Sequence, residues 1–389
     1  MQLHTSKNQH AGLVFISPAS FANIWSAGQG LWLRPVGIAP LNVLRNVLDA
    51  DSVLPLAGGP YGFTHLDLVT GKKAAGYKAA RVSIAEARQI TKDEAAGQLA
   101  AITSSRQAFA GLPMDEVQVM GIVNVTPDSF SDGGQFFDAE DAIAHGRGMA
   151  ADGATLLDVG GESTRPGADS VSTEDELNRI TPVISELAKD GHLVSVDTRH
   201  SAVMGPALAA GARIINNVSG FTDEGAAEVM GKTYLSAPTN SFAIAMHMQG
   251  TPQTMQENPK YGFAPIEVFD VLACHIDRLV AAGLPQSHIA VDPGFGFGKT
   301  PAHNAEMISW TSLFHGLGVP VLFGFSRKSS IPTLAASGGY EGGYGGSSDE
   351  RLGGSLALTL VATAQGAQII RTHDVAQTVQ AVAVQKGLG

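Results

Sequence analysis

The stretch Ala154-Thr-Leu-Leu-Asp158-Val-Gly-Gly-Glu162-Ser-Thr-Arg165 decides the fold, because a short apolar run ends abruptly in acidic, small and basic residues. Eight apolar runs of this kind recur between Val117 and Asp374, and nearly every one ends in residues able to bind an anion, a polar ring or a metal. A barrel whose parallel strands all open onto one shared site requires such endings in chain order. The sequence therefore predicts an α/β fold of the (β/α)8 TIM barrel class.

The predicted strands lack alternation of polar and apolar residues, which is typical of strands buried on both faces. They lie near residues 117–125, 154–160, 192–198, 213–219, 242–248, 289–293, 319–325 and 367–373. Helical patterns follow near residues 138–152, 173–189, 200–210, 223–232, 265–282, 302–316, 350–365 and 375–386. Eight such units match the usual size of this barrel.

Residues 1–113 do not fit the repeat, and we expect a small α+β extension of unknown role there, followed by the barrel at residues 114–389. Residues 31–36 and 63–69 read as short strands, and the Ala-rich residues 84–110 read as one or two helices. No motif in the extension can be attached to chemistry. A role in packing or oligomerisation is therefore favoured over a second active site.

Composition excludes several classes of protein. A net charge of −11 over 389 residues provides no basic field for nucleic acid. No apolar stretch reaches the length of a membrane span, and the N-terminal residues do not resemble a signal peptide. The single cysteine, Cys274, excludes a disulfide framework, and we expect it to be a packed residue of a helix. These features favour a cytoplasmic protein.

Carboxylates at the ends of apolar strands are the first candidates for chemistry. Asp197 and Asp292 each follow a buried run, where a carboxylate must be hydrogen-bonded or neutralised. Facing one mouth of the barrel, they could bind a heterocycle rich in N–H donors, and the amide of Asn216 could assist. For Asp158 a functional role and a structural cap are equally open.

Cations near the last two strands predict an anionic substrate. Lys328 follows the seventh strand, and Arg371 and His373 end the eighth, where barrel enzymes commonly bind phosphate. The neighbouring Arg327 is expected to form a structural ion pair instead. His247 is expected to be a packed histidine.

Two further positions stay open between function and structure. Asn124 ends the first strand, and its amide oxygen could bind Mg²⁺, which takes few protein ligands when phosphates fill its shell. Arg165 offers a planar fork for a carboxylate or phosphate, but it could equally be a solvated surface residue. The string Gly294-Phe-Gly-Phe-Gly-Lys-Thr300 resembles a phosphate-binding loop, yet Pro293 stands where that pattern needs glycine.

Taken together, these segments resemble dihydropteroate synthase, the family of pterin-binding barrel enzymes of folate synthesis. The resemblance covers roughly residues 115–389, and its strings come in the family's order. They are Gly121-Ile-Val-Asn-Val-Thr-Pro-Asp-Ser-Phe-Ser-Asp-Gly-Gly134, Asp158-Val-Gly-Gly-Glu-Ser-Thr-Arg-Pro-Gly167, Val196-Asp-Thr198, Met246-His-Met-Gln-Gly-Thr-Pro252, Asp292-Pro-Gly-Phe-Gly-Phe-Gly-Lys299, Ser326-Arg-Lys-Ser329 and Arg371-Thr-His-Asp-Val375.

The resemblance implies a reaction of two small-molecule substrates, 6-hydroxymethyl-7,8-dihydropterin diphosphate and p-aminobenzoate, which give 7,8-dihydropteroate and pyrophosphate. It also implies Mg²⁺ as cofactor, bound by Asn124, and a homodimer. The family is a target of sulfonamides, but the sequence does not tell whether sulfonamides inhibit this chain.

The resemblance further assigns roles by position in the matching strings. The pterin-binding residues are Asp197, Asn216, Met246, Asp292 and Lys328. The pyrophosphate-binding residues are Asn124, Arg165, Arg371 and His373. The p-aminobenzoate-binding residues are Phe130, Thr164, Pro166, Phe297 and Ser329. Among all of these, the expected catalytic residues are Asp197, Asp292, Lys328 and Arg165.

Two other interpretations were weighed. A pterin-dependent methyltransferase has a related barrel, but it should lack the string around Asn124 and the string Ser326–Ser329 with its pyrophosphate anchors. A non-catalytic pterin-binding paralogue should have lost charged positions at the mouth of the barrel, and these are intact. Intact residues alone do not prove turnover.

Overall fold

The computed structural model describes residues 12–125, 139–162, 171–340 and 349–388. Within these residues, a small α+β extension precedes eight parallel strands that alternate with helices. The predicted fold class is therefore confirmed. No helix in these ranges is both long enough and apolar enough to cross a bilayer.

From residue 12 onward, the extension contains two small sheets and four short helices. Its strands are β1 (Leu13–Phe15), β2 (Trp32–Val36), β3 (Ala39–Pro40), β4 (Leu54–Pro55), β5 (Tyr61–Phe63), β6 (His65–Lys72) and β7 (Gly76–Ser83). Its helices are α1 (Pro18–Ile24), α2 (Leu41–Val47), α3 (Ile84–Thr91) and α4 (Ala96–Thr103), with a 3-10 turn at Ala50–Ser52. The sheet orders are β1-β7-β6-β2 and β3-β5-β4.

The barrel is built from the remaining elements. Its strands are β8 (Gln118–Asn124), β9 (Leu156–Gly160), β10 (Val194–Asp197), β11 (Ile214–Asn217), β12 (Phe242–Met246), β13 (Ile289–Asp292), β14 (Leu322–Gly324) and β15 (Ile369–Thr372). Its helices are α5 (Ala139–Ala151), α6 (Thr173–Lys189), α7 (Ser201–Ala209), α8 (Ala226–Ser236), α9 (Ala264–Ala281), α10 (Pro301–Ser309), α11 (Ser330–Ser337), α12 (Leu352–Thr363) and α13 (Val375–Gly387). Turns of 3-10 helix lie at Pro238–Asn240, Gln286–His288, Thr311–Leu317 and Asp349–Arg351.

All neighbouring barrel strands pair in parallel, in the order β13-β12-β11-β10-β9-β8-β15-β14. A parallel bridge between Val291 and Val321 closes the gap between β13 and β14. Because every strand runs the same way, their carboxyl ends meet at one rim, which is where barrel enzymes place their sites.

The opposite end of the barrel is filled by apolar side chains. Residues at the starts of the strands, including Leu156, Ile214 and Leu322, are buried there. Phe109 and Met114, from the segment before β8, join this cluster, and the Phe109 ring packs edge-on against Phe242 at 5.3 Å between centroids. The segment that leads into the barrel therefore also covers the end of the barrel opposite the rim.

The extension contacts the barrel through hydrogen bonds and a cation–π contact. Trp32 donates its indole N–H to Asp270 at 2.8 Å, and Ser312 donates its hydroxyl to the carbonyl of Pro35 at 2.8 Å. The Arg34 guanidinium lies 4.4 Å from the Trp310 ring centroid and also pairs with the fully buried Asp67 at 3.2 Å. The cation–π contact depends on exact docking of the two parts, whereas the ion pair lies within the extension and holds Arg34 beside Asp67.

Several expectations about single elements need correction. The helix expected at residues 302–316 ends at Ser309, and a 3-10 turn follows. Helix α11 was not predicted, because Pro332 and the nearby glycines resemble a loop; a proline is tolerated in a helix's first turn. Cys274 lies on α9 as expected, but its side chain is exposed rather than packed.

Candidate active site

The carboxyl ends of neighbouring strands bring predicted residues to the same level. In the barrel register, Asp197 of β10 pairs with Asn216 of β11, and Met246 of β12 pairs with Asp292 of β13. Arg371 of β15 pairs with Gly324, the last residue of β14. The structure thus gathers these predicted residues at one rim, although they span 174 positions between Asp197 and Arg371.

A guanidinium bridges two buried carboxylates at the centre of the rim. Arg371 donates from Nε to Asp158 Oδ2 at 2.6 Å and from Nη2 to Asp197 Oδ2 at 2.8 Å. Asn216 donates from Nδ2 to the same Asp158 oxygen at 2.9 Å. Asp158, which the sequence left open between two readings, is fully buried and fixes both Arg371 and Asn216. Its position at the end of a strand, like that of Asp197, was the available signal.

Asp197 is held in an environment that disfavours its charge. Burial raises its pKa to about 7; Arg371 opposes the rise and the Asp158 carboxylate adds to it. Within the described residues, its Oδ1 atom is buried and has no hydrogen-bond partner. A buried acceptor of this kind is suited to a ligand N–H group.

Asp292 supplies a second carboxylate from the other side. Its Oδ1 accepts a hydrogen bond from the Gly294 backbone N–H at 2.7 Å. Burial raises its pKa to about 6, while that hydrogen bond and the charge of Lys328 hold it down. Both acids therefore respond to a ligand that brings N–H donors or positive charge.

Lys328 and Phe297 form a stacked pair beside these acids. The Lys328 ammonium lies 3.8 Å from the Phe297 ring centroid. Burial lowers the pKa of Lys328 to about 8; Arg371 adds to this effect and Asp292 opposes it. Ser329 follows at the start of α11, and its side chain is exposed. Lys328 thus places a cation over the ring of Phe297, and Ser329 adds a hydroxyl at the next position in the sequence.

The loop after β15 holds a neutral histidine. His373 Nδ1 lies 2.9 Å from the Ser326 hydroxyl. Burial, reinforced by Arg371, lowers the pKa of His373 to about 3. At neutral pH it therefore offers an N–H group rather than a positive charge. Arg327 donates to Asp374 at 2.7 Å, the ion pair expected from the sequence.

A further ion pair, beyond the end of β9, was not predicted from the sequence. Arg199 binds both oxygens of Glu162, at 2.8 and 2.9 Å, and Glu162 also accepts from the Val171 N–H at 3.1 Å. These contacts join Glu162 to Arg199 and to Val171. The predicted residues Arg165, Thr164, Pro166 and Phe130 lie outside the described residues.

Asn124 is the last residue of β8, level with Gly160 at the end of β9. Among the residues that the structure describes, no cluster of three or more His, Cys, Asp or Glu side chains could hold a metal ion. A single amide oxygen nevertheless suits Mg²⁺ when phosphate oxygens and water complete its shell. The donor set is thus compatible with Mg²⁺ that arrives with a diphosphate.

Comparisons with known proteins agree with this geometry. Residues 120–373 match the family of pterin binding enzymes. Dihydropteroate synthase of Escherichia coli (strain K12) is 44% identical over 274 residues, which cover 70% of this chain and 92% of that protein.

Two solved structures are similar in fold and sequence. Xanthomonas albilineans dihydropteroate synthase with 4-aminobenzoic acid has a TM-score of 0.64 and 41% identity, covering 72% of this chain and 96% of that one. Burkholderia cenocepacia dihydropteroate synthase complexed with 7,8-dihydropteroate has a TM-score of 0.61 and 39% identity, covering 71% of this chain and 93% of that one.

Proposed function

The chain belongs to the family of pterin binding enzymes, and from this premise we propose that it catalyses the dihydropteroate synthase reaction. The amine of p-aminobenzoate replaces pyrophosphate on 6-hydroxymethyl-7,8-dihydropterin diphosphate. The nitrogen lone pair forms the new C–N bond, the C–O bond to diphosphate breaks, and the nitrogen then loses a proton. The products are 7,8-dihydropteroate and pyrophosphate.

The observation that carries this proposal is the Asp158–Arg371–Asp197 bridge, with Asn216 attached to Asp158. It fixes a carboxylate and an amide side by side on neighbouring strands, at the same rim as Asp292 on β13. A reduced pterin ring presents several N–H donors, and carboxylate and amide oxygens accept them. Pterin binding by Asp197, Asn216, Asp292 and Lys328, with Met246 beneath, is therefore our proposal for this rim.

The same acids explain how the reaction is accelerated. When pyrophosphate leaves, positive charge develops on the methylene carbon and spreads into the ring. The Asp197 and Asp292 carboxylates lie where they stabilise that charge, in a buried site in which electrostatic effects are strong. The ring N–H donors favour the ionised form of both acids, whose pKa values burial has raised.

The departing pyrophosphate needs cationic and N–H partners. We assign this role to Arg371 and His373 at the end of β15, with Arg165 as a further cation. His373 acts as a neutral donor, because its low pKa keeps it uncharged. Asn124 would hold Mg²⁺, which when bound supplies positive charge to the diphosphate oxygens.

The p-aminobenzoate ring is assigned to the pocket beside Phe297, one face of which is covered by the Lys328 ammonium. From the resemblance, we assign Ser329, Phe130, Thr164 and Pro166 to the same pocket. An aniline nitrogen is already unprotonated at neutral pH. The reaction therefore requires no strong general base.

An assay with both substrates tests the proposal. The purified chain, with Mg²⁺, should release pyrophosphate and form dihydropteroate in equal amounts, and omission of p-aminobenzoate should stop both. Chelation of Mg²⁺ should also stop turnover. A non-catalytic pterin-binding paralogue or a pterin-dependent methyltransferase would form no dihydropteroate, and that result would overturn the proposal. The cytoplasmic location and the homodimer stay predictions.

A further inference from the structure

A buried lysine close to the substrate rim has no part in the reaction described above. Lys299 is only 2% exposed, and its ammonium lies 2.9 Å from the Gly294 carbonyl, 3.1 Å from the Phe297 carbonyl and 3.0 Å from His247 Nδ1. An ammonium group has three donors. Three acceptors from two separate loops therefore surround it.

Burying this side chain is unfavourable by itself. Burial lowers the pKa of Lys299 to about 7; the Asp292 charge opposes the shift and the Lys328 charge adds to it. An apolar side chain of the same length would fill the space without this penalty. We therefore attribute the role of the ammonium to the groups that it binds, namely two backbone carbonyls after β13 and the His247 ring after β12.

The glycines of this loop show how closely the two segments approach. Gly294 has φ +71°, and a Cβ there would lie 2.0 Å from the His247 carbonyl oxygen. Gly298 has φ +59°, and a Cβ there would meet the Gln249 backbone at 2.6 Å. The loop therefore lies directly against the end of β12, with two of its carbonyls turned towards Lys299.

Two further contacts hold the same loop from outside. The Tyr261 hydroxyl donates to the Gly298 carbonyl at 2.8 Å, and the Gln256 amide donates to the Gly296 carbonyl at 3.0 Å. Both residues belong to the segment between β12 and α9. Four carbonyls of the loop after β13 are thus bound: those of Gly294 and Phe297 by Lys299, and those of Gly296 and Gly298 by Gln256 and Tyr261.

The held loop carries two groups that the proposed reaction uses. Its Gly294 N–H binds the Asp292 carboxylate, and its Phe297 ring stacks on Lys328. We propose that Lys299 is a positioning residue that shapes the substrate pocket by gathering the carbonyls of this loop. This role rests on the proposed function, because it concerns the pocket for the same two substrates.

Lys299 also acts on Asp292 through its charge. The charged and titratable groups that act on these two side chains are His247, His303, Lys328 and Arg371. The charges of Lys328, Lys299 and Arg371 all lower the pKa of Asp292 against the effect of burial. Removing the Lys299 charge should therefore raise the pKa of Asp292.

The variant Lys299→Met tests the proposal, because it keeps an unbranched side chain of similar length and removes the ammonium group. The matched control is Lys386→Met. Lys386 is an exposed lysine on α13 that pairs with Glu116. Steady-state kinetics should show KM for p-aminobenzoate raised about tenfold or more, since small misplacements of binding groups have large effects. The acid limb of the kcat/KM profile should move to higher pH. The control should match the wild type in both.

Unchanged KM together with an unchanged pH profile in Lys299→Met would overturn the proposal. If Lys299→Met does not fold, Tyr261→Phe is the deciding variant, because it removes one hydrogen bond to the same loop. It should raise KM for p-aminobenzoate by a smaller factor than expected for Lys299→Met. A KM equal to that of the wild type would count against the proposal. If the wild type forms no dihydropteroate, the proposed function fails separately. Hydrogen exchange then tests the loop: faster exchange of the backbone N–H groups of residues 294–300 in Lys299→Met than in Lys386→Met supports the holding role of Lys299, and equal exchange refutes it.

Discussion

Replacing Asp197 by Asn is expected to make the ligand-free protein more stable at pH 8 while removing most of its activity. Burial raises the pKa of Asp197 to about 7 from an ordinary value of 3.8. Between these two values, the folded state keeps a proton on this carboxyl that the unfolded state has lost. The free energy of unfolding due to this group therefore falls as pH rises from about 4 to 7.

The magnitude follows from the two pKa values. A difference of about 3 corresponds to at most ~4 kcal/mol, and relaxation around the neighbouring charges of Asp158 and Arg371 reduces this to on the order of 1–3 kcal/mol. Asparagine resembles the protonated acid and carries no charge to bury. The variant should therefore gain this amount at pH 8, and the gain should shrink towards zero as pH approaches 4.

Urea denaturation of both proteins at several pH values between 4 and 8 measures the difference. Asp190→Asn is the control, because the bond from Arg147 lowers the pKa of this exposed carboxyl, so its removal should reduce stability above pH 4. The reasoning is refuted if Asp197→Asn is less stable than the wild type at pH 8 by an amount that does not change with pH. Turnover should fall at least about tenfold, since the variant loses a charge that stabilises the developing cation.

Three further changes probe the rim and the extension. Asp158→Asn removes a charge that raises the pKa of Asp197, so the acid limb of the kcat/KM profile should move to lower pH; an upward shift would contradict the assignment. Arg371→Met should raise KM for the dihydropterin diphosphate about tenfold or more and KM for p-aminobenzoate much less, and equal changes in steady-state kinetics would count against a pyrophosphate anchor. Arg34→Met should lower the free energy of unfolding in urea by about 1–3 kcal/mol, because it removes a cation from buried Asp67 and from an aromatic face; kcat should stay unchanged, and a loss of kcat with normal stability would argue for a role in the site.

The barrel was predictable because its signals are local. Runs of apolar residues without alternation indicate strands covered on both faces, and their polar endings indicate the rim. Asp197 and Asp292 could be singled out in this way, since a carboxylate that ends a buried strand must be stabilised by something. Parallel order then places them at one end without further information.

The partners of these residues were not predictable, because they depend on closure of the barrel. Asp158 and Arg371 are 213 positions apart, and only the pairing of β8 with β9 and β15 brings them together. Lys299 belongs to the string Gly294–Thr300, which does not satisfy the phosphate-binding pattern. Its role as a ligand of backbone carbonyls has no sequence signature, since the glycines alone do not show which way the carbonyls turn.

The extension was predictable only in outline. The expected helices within residues 84–110 are present as α3 and α4, but residues 104–110 are not helical. Strand β7 was not predicted, although Ser83 and Glu86 form a capping box directly after it. Its contacts with the barrel involve Arg34 and Trp310, which lie 276 positions apart in sequence, so no local pattern could reveal them.

The way residues 109–114 fill the base of the cylinder bears on how shortened versions of this chain should be cut. Cleaving at a boundary drawn from sequence, just after Pro113, would take Phe109 away and leave the rings and aliphatic side chains around Phe242 in contact with water. A recombinant fragment intended to retain the barrel should instead begin upstream of Phe109, so that it keeps the residues that cover the barrel's base.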